Sequence, residues 1–362
     1  MSDHHFMSIA LKLAERGLGN VAPNPSVGCV IVKDNVVISE GWTGTAHAEV
    51  VALKNAKGSA QGATMYVTLE PCCHYGVTGP CTLEIIKSGI KRVVVAIIDP
   101  DERVSGKGMQ ELKEAGIEIT YGVMQEEAEK LNVGFFFTKK LHRPFITCKI
   151  ASTLDGKIAT FTNESKWITS EDTRNWVHEL RAKYDAIMIG SNTLIHDNPL
   201  LTCRLPGFED RSPMRLIIDS QTKLKKEHNI AKTADKIKTW VITNNEVREK
   251  IKNVNYLITN ANKNGKICLK DMVSKLVSDI GITRVLVEGG GMLITELLKH
   301  QLIDRLIICR SGKILGNDAV PCISNLGIQS ISQCYKLKKV KIIDFVDDIV
   351  EIWDFYTTTS YL

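Results

Sequence analysis

Residues 65–98, MYVTLEPCCHYGVTGPCTLEIIKSGIKRVVVAII, decide the fold. The run 65–69 is apolar and short enough for a buried strand, 82–88 has helical spacing closed by Gly89, and 92–98 is a second apolar run. Strand, helix, strand in that order predicts parallel strands joined by a crossover helix. Upstream, Phe6, Ile9, Ala10 and Leu13 recur at helical spacing up to Gly17. After the loop at Pro23-Asn24-Pro25, the runs 27–32 and 36–40 flank Asp34-Asn35 and read as a hairpin. A helix over 47–56 follows. Downstream, the pattern predicts a helix over 109–115, a strand over 117–120 and a helix over 126–137, then a polar stretch 138–143 that ends at Pro144.

Beyond Pro144 the alternation restarts, with strands expected at 145–150, 186–189, 215–218, 239–242, 284–287 and 306–309 and a helix at 173–181. At 362 residues the chain exceeds one ordinary core. We expect two α/β units, 1–143 and 144–362, each built on a largely parallel sheet covered on both faces. Forty-six basic against 41 acidic residues leave only +5, scattered along the chain, which argues against a nucleic-acid partner. Ten irregularly spaced cysteines suit a reducing compartment better than a disulfide framework. The first residues lack the basic start and apolar run of a signal peptide, and no apolar stretch reaches membrane-spanning length, so a soluble, cytoplasmic protein without a membrane partner is expected.

The chemistry is concentrated in three places: His47-Ala48-Glu49 at a helix start, Pro71-Cys72 just after a strand, and Cys81, separated from Cys72 by eight residues. His-x-Glu with a later Pro-Cys is the signature of zinc-dependent base deaminases, although their usual second spacing is Cys-x-x-Cys. One imidazole and two thiolates leave a fourth tetrahedral position open, as in catalytic rather than structural zinc sites. Zinc lowers the pKa of bound water to roughly 7. Glu49 then has the right type and place to shuttle protons as general acid and base without being a ligand. A thiolate at a helix start, as at Cys81, is favoured by the dipole. Cys73 and His74 remain rival ligands by type, and a Cys/His cluster of this kind is also compatible with a closed structural zinc.

Taken together, the motifs resemble the bifunctional riboflavin-biosynthesis deaminase/reductase family. The first half matches in Asn24 to Gly28, His47 to Glu49, Thr68 to Cys72, Gly79 to Cys81, Asp99-Pro100 and Val104 to Gly108. The second matches in Lys149 to Gly156, Ser165 to Thr169, Leu180-Arg181, Thr193, Asp197 to Pro199, Leu201 to Arg204, Ile218 to Ser220 and Glu288 to Gly290. The eight-residue gap before Cys81 is the family's own. The resemblance implies a cytidine-deaminase-like first domain and a dihydrofolate-reductase-like second one. It implies hydrolytic deamination of 2,5-diamino-6-(5-phosphoribosylamino)pyrimidin-4-one with zinc, followed by reduction of the product's ribosyl group with NADPH.

Carried over by position, zinc falls to His47, Cys72 and Cys81, proton transfer to Glu49 and a substrate contact to Asn24. NADPH falls to Ala151, Trp167, Thr193, Asp197, Ser220 and the turn Gly290, Gly291, Met292, Leu293, Ile294, Thr295, Glu296. The second substrate, a phosphorylated pyrimidine, falls to Lys149, Ser165, Arg181, Leu201, Arg204 and Glu288. A strand ending at Glu288, then glycines, then a helix start is a suitable dock for a dinucleotide phosphate, and Arg181 and Arg204 carry the planar fork suited to a substrate phosphate. By family analogy a homo-oligomer is expected. The chain departs from the family before His47, where 41–46 run about three residues short of the usual loop, at Ala22, where some members have His, and at Asp101, where Asn is common. A deaminase of another base or nucleoside, and a non-catalytic zinc- and nucleotide-binding module, are the competing readings.

Overall fold

The computed structural model describes residues 1–76 and 79–356, and the chain divides into two compact units, Met1–His142 and Arg143–Leu362. Arg143 falls in the second because its guanidinium grips the buried carboxylate of Asp304 at 2.7 and 2.6 Å, and Asp304 also accepts the Ile146 N–H at 2.8 Å.

The first unit opens with α1 (Asp3–Ala14), then β1 (Gly28–Lys33), β2 (Val36–Trp42), α2 (Ala48–Asn55), β3 (Thr64–Val67), α3 (Cys81–Lys87) and β4 (Arg92–Val95). It continues with α4 (Lys107–Glu114), β5 (Glu118–Tyr121), α5 (Gln125–Leu131) and α6 (Val133–Leu141). The sheet order is β2-β1-β3-β4-β5, parallel from β3 to β5 but antiparallel where β1 meets both β2 and β3. Two glycines let helices lie directly on the sheet. A Cβ on Gly28 would overlap the Ala10 carbonyl oxygen of α1, and one on Gly41 would overlap that of Ala48 in α2. The second contact seats the helix that begins at the site.

The helix expected over 126–137 is two helices. Asn132 interrupts it at φ −100° and ψ 20°, because its buried side-chain amide is committed to the loop before β1, accepting from the Ser26 N–H at 2.8 Å and donating to the Ser26 carbonyl at 2.9 Å. The polar stretch expected after 137 is helical as far as Leu141. Its Lys139 and Lys140 lie over the Phe135 and Phe136 rings, so the polar residues are the outer side of a helix whose phenylalanines are buried.

The second unit contains β6 (Phe145–Thr153), β7 (Lys157–Ala159), α7 (Glu171–Arg181), β8 (Ala186–Gly190), α8 (Ser191–Asp197), β9 (Met214–Ile218), α9 (Asn229–Lys232) and β10 (Thr239–Thr243). Then come β11 (Val254–Ile258), α10 (Leu269–Ser278), β12 (Arg284–Val287), α11 (Gly291–Lys299), β13 (Arg305–Ser311), β14 (Val320–Pro321), β15 (Leu337–Asp344) and β16 (Asp348–Phe355). Nine strands form one sheet, β11-β10-β9-β8-β12-β6-β13-β16-β15, parallel from β11 to β13 and antiparallel at β16 and β15. The predicted parallel strands are there. The terminal hairpin and β11 escaped the sequence reading: β15 carries Lys338, Lys339 and Lys341 and is mostly exposed, so it offers no buried apolar run.

Candidate metal centre and cofactor cavity

His47 is the N-cap of α2 and Glu49 lies in its first turn, while Cys81 begins α3 behind Pro80. Cys72, after β3, is drawn to that helix start by two backbone bonds: the Cys81 N–H donates to its Sγ at 3.4 Å and the Thr82 N–H to its carbonyl at 3.2 Å. His47 Nδ1 lies 3.2 Å from Cys81 Sγ and 3.5 Å from Cys72 Sγ, and the three ligand atoms fall within 4.8 Å of one another. Tetrahedral ligands at zinc bond lengths stand roughly 3.5–3.8 Å apart. The donor set therefore fits zinc, with three protein ligands and one position left over.

Among the described residues this is the one such grouping, and it takes in neither Cys73 nor His74. The Cys73 thiol is turned toward the Arg103 carbonyl at 3.8 Å. Glu49 is 4% exposed, and burial pushes its carboxyl up to about 7, with the neighbouring Cys72 charge adding to the rise. Between the paired thiols, Cys72 is held below the usual thiol range because it accepts from the Cys81 thiol, despite burial, with His47 and the Cys81 N–H assisting. The helix start thus delivers its N–H to the sulfur of Cys72 rather than to that of Cys81.

The short loop before His47 is knitted to β1. Thr43, itself buried, bonds the backbone of Val27 twice, its N–H donating to the Val27 carbonyl at 2.9 Å and its side-chain Oγ1 accepting the Val27 N–H at 2.9 Å. Asn24 is exposed in the turn before β1, its N–H donating to the Val21 carbonyl at 2.9 Å.

In the second unit a cavity of about 1030 Å³ lies along the carboxyl ends of the parallel strands. Of the expected cofactor residues, Ala151, Thr193, Asp197, Ser220, Gly290 to Ile294 and Glu296 line it. Thr295 is buried behind them, its Oγ1 donating to the Gly291 carbonyl at 2.6 Å. Trp167 is 65% exposed, outside the lining, and stacks under the Arg174 guanidinium at 4.2 Å. Thr193 Oγ1 takes the Gly290 N–H at 3.2 Å, tying α8 to the glycine turn.

Of the expected substrate residues, Lys149, Ser165 and Glu288 line the cavity. Glu288 is bound bidentately by Arg181 at 2.6 and 3.0 Å and faces Lys149 at 3.6 Å. Burial alone would raise its carboxyl, but the Arg181 and Lys149 charges outweigh it and hold it at about 2. The Arg181 fork is thus engaged, its Nη1 donating to the Thr202 carbonyl at 2.9 Å. Leu201 is buried and Arg204 exposed on the same loop, which is also gripped by the fully buried Arg215 through the Leu200 carbonyl at 3.3 Å.

His178 was missed by the sequence reading. On α7, 9% exposed, it has no partner for Nδ1, and burial with the Arg181 and Arg204 charges lowers it to about 4. The unfolded imidazole protonates near its ordinary 6.5 and the folded one only near 4, so the unfolded state binds more protons between these values. Stability of the second unit should fall as pH drops through that window. Melting curves from pH 7 to 4 should show a shallower decline for His178→Gln than for the unchanged protein.

Comparisons with known proteins agree with both halves. Residues 144–350 match the RibD C-terminal domain, and residues 1–97 match the cytidine and deoxycytidylate deaminase zinc-binding region. The riboflavin biosynthesis protein RibD of Aquifex aeolicus is 43% identical over 96% of this chain and 97% of its own, and that of Escherichia coli K12 is 38% identical over 94% and 96%. Among solved structures, Acinetobacter baumannii RibD is 36% identical with a TM-score of 0.88 over 97% of this chain and 98% of its own. The diaminohydroxyphosphoribosylaminopyrimidine deaminase/5-amino-6-(5-phosphoribosylamino)uracil reductase of Thermotoga maritima, also 36% identical, scores 0.88 over 98% of each chain. No helix among the described residues is long and apolar enough to cross a membrane.

Proposed function

The chain belongs to the RibD family of riboflavin-biosynthesis deaminase/reductases, and from that premise we propose which of its residues carry each step. Residues 1–143 carry the deaminase and 144–362 the reductase. The first substrate is 2,5-diamino-6-(5-phosphoribosylamino)pyrimidin-4-one, whose exocyclic C–N bond is hydrolysed to a carbonyl and ammonia. The second is the resulting ribosylaminouracil phosphate, reduced to its ribityl form.

In the deaminase His47, Cys72 and Cys81 hold zinc, which when bound supplies the Lewis acid that makes water nucleophilic near neutral pH. Glu49 does the proton work. Its carboxylate takes one proton from the attacking water and gives it to the ring nitrogen, then carries the second from the resulting hydroxyl to the leaving amine, so that ammonia departs as the carbonyl forms. Burial places its ionisation where both forms are accessible at neutral pH. Asn24 contributes a substrate contact from the turn before β1.

In the reductase the cavity takes NADPH, which when bound supplies the hydride. Ala151, Trp167, Thr193, Asp197, Ser220 and Gly290 to Glu296 hold the cofactor. Lys149, Ser165, Leu201, Arg204 and Glu288 form the side of the site that takes the second substrate, with Arg181 holding Glu288 in place. Lys149, 3.6 Å from Glu288, donates a hydrogen bond to the opened sugar. Arg181 acts mainly through Glu288. The same proposal places the protein in the cytoplasm as a homo-oligomer.

The observation that carries the deaminase reading is the meeting of His47, Cys72 and Cys81 beside a buried Glu49. One coupled assay tests both halves: the diaminopyrimidine phosphoriboside with NADPH, following ammonia release and NADPH oxidation separately. Both signals are expected, oxidation only after ammonia. Ammonia without oxidation would reduce the function to a deaminase.

A further inference from the structure

The cavity of the second unit follows the order of the strands beneath it. Lys149 and Ala151 come from β6, Glu288 to Gly291 follow β12, Thr193 follows β8, Ser220 and Gln221 follow β9, Asn245 follows β10, and Asn262 and Lys266 follow β11. From β6 to β11 there are five strand steps of about 4.8 Å, roughly 24 Å in all. If the cavity is the cofactor site, Lys149 and Glu288 at the β6 end would face the reactive ring of a dinucleotide held along that row. The Gly290-Gly291 turn at the start of α11 would then take the pyrophosphate, and the residues after β9 to β11 the adenosine.

The charges differ between the two ends. Lys149 and Lys266 are the two Lys or Arg residues among the described lining, and Lys149 is paired with Glu288. No described lining residue that follows β9, β10 or β11 is Asp or Glu; that end offers Ser220, Gln221, three asparagines and Lys266. The loop carrying Lys266 is a fastened turn. Asn262 Oδ1 accepts the N–H groups of Asn264 at 2.9 Å and Lys266 at 3.0 Å, the Gly265 N–H donates to the Asn262 carbonyl at 2.9 Å, and Asn244 Nδ2 holds the Gly265 carbonyl at 2.9 Å. No described group accepts from the Lys266 ammonium.

We propose that Lys266 is a specificity-determining residue of the reductase, reading the 2′-phosphate that distinguishes NADPH from NADH. This rests on reading the cavity as the cofactor site. A 2′-phosphate is a local dianion on the adenosine ribose, and an ammonium held by a fixed turn among amide donors matches it.

The test is calorimetric titration of the full-length protein with NADPH and with NADH, for the unchanged chain, Lys266→Ala and Lys263→Ala. Lys263 lies in the same exposed turn but does not line the cavity, and neither substitution touches buried structure. Lys266→Ala is expected to weaken NADPH about tenfold or more, the effect of one charge-assisted hydrogen bond, with NADH within about twofold and Lys263→Ala near the unchanged protein. Equal loss for both cofactors, no loss, or the same loss in Lys263→Ala would overturn the role of Lys266. Failure of the unchanged protein to bind NADPH would overturn the cavity reading itself.

Discussion

Replacing Glu49 by Gln is expected to cut ammonia release by about 10²- to 10⁴-fold, while bound zinc remains at one per chain and NADPH-dependent reduction of the supplied ribosylaminouracil phosphate is unchanged. The substitution keeps shape and hydrogen-bonding capacity but removes the exchangeable carboxyl proton. Glu49 is buried in the first turn of α2, two residues after His47, so the helix itself holds it beside the proposed ligands. Metal analysis and both activities, measured on one preparation, separate the outcomes. Loss of zinc alongside activity would make Glu49 a ligand, and activity retained within about threefold would remove it from proton transfer.

The second large effect concerns stability. Arg181→Met leaves the buried Glu288 carboxylate facing only Lys149 at 3.6 Å, and breaking a buried pair from one side typically costs about 3–5 kcal/mol. Denaturant unfolding of the full chain should show that loss in the transition of the second unit. Arg181→Met with Glu288→Met should recover most of it, because no uncompensated charge is then left in the interior. A loss under about 1 kcal/mol would mean that water reaches the pair.

How much of this was legible beforehand depends on the range of the interactions. The grouping of His47, Cys72 and Cys81 proposed to hold zinc was legible because each position is set by local chain geometry: a helix start at His47, a strand end before Cys72 and a helix start at Cys81. Spacing could not separate them from Cys73 and His74, which are adjacent in sequence and turned elsewhere in space. Arg181 shows the other limit. In the sequence its fork suits a substrate phosphate, yet Glu288, 107 positions away, occupies it. Asn132 is similar, since its partner Ser26 is 106 residues upstream and no helical periodicity shows that an amide will be diverted there. Lys266 went unread because Asn262-Lys263-Asn264-Gly265 announces a turn but not what the turn overlooks. The edge hairpin was hidden by its own solubility, as lysines on β15 erase the apolar alternation that marks a strand.

The strand order of the second unit has a consequence for how the chain is made. β6 lies between β12 and β13, which begin at residues 284 and 305, whereas β6 is complete at residue 153. At about 5–20 residues per second, a ribosome takes on the order of ten seconds to supply β12 after β6 has emerged. For that interval Phe145, Ile146, Cys148 and Ile150, all buried in the finished sheet, lack both flanking strands. The first unit has no such wait, since β1 finds β2 and β3 within a few dozen residues. Nascent chains should therefore meet a chaperone's need for exposed apolar strand at β6, after the zinc-binding half has already closed.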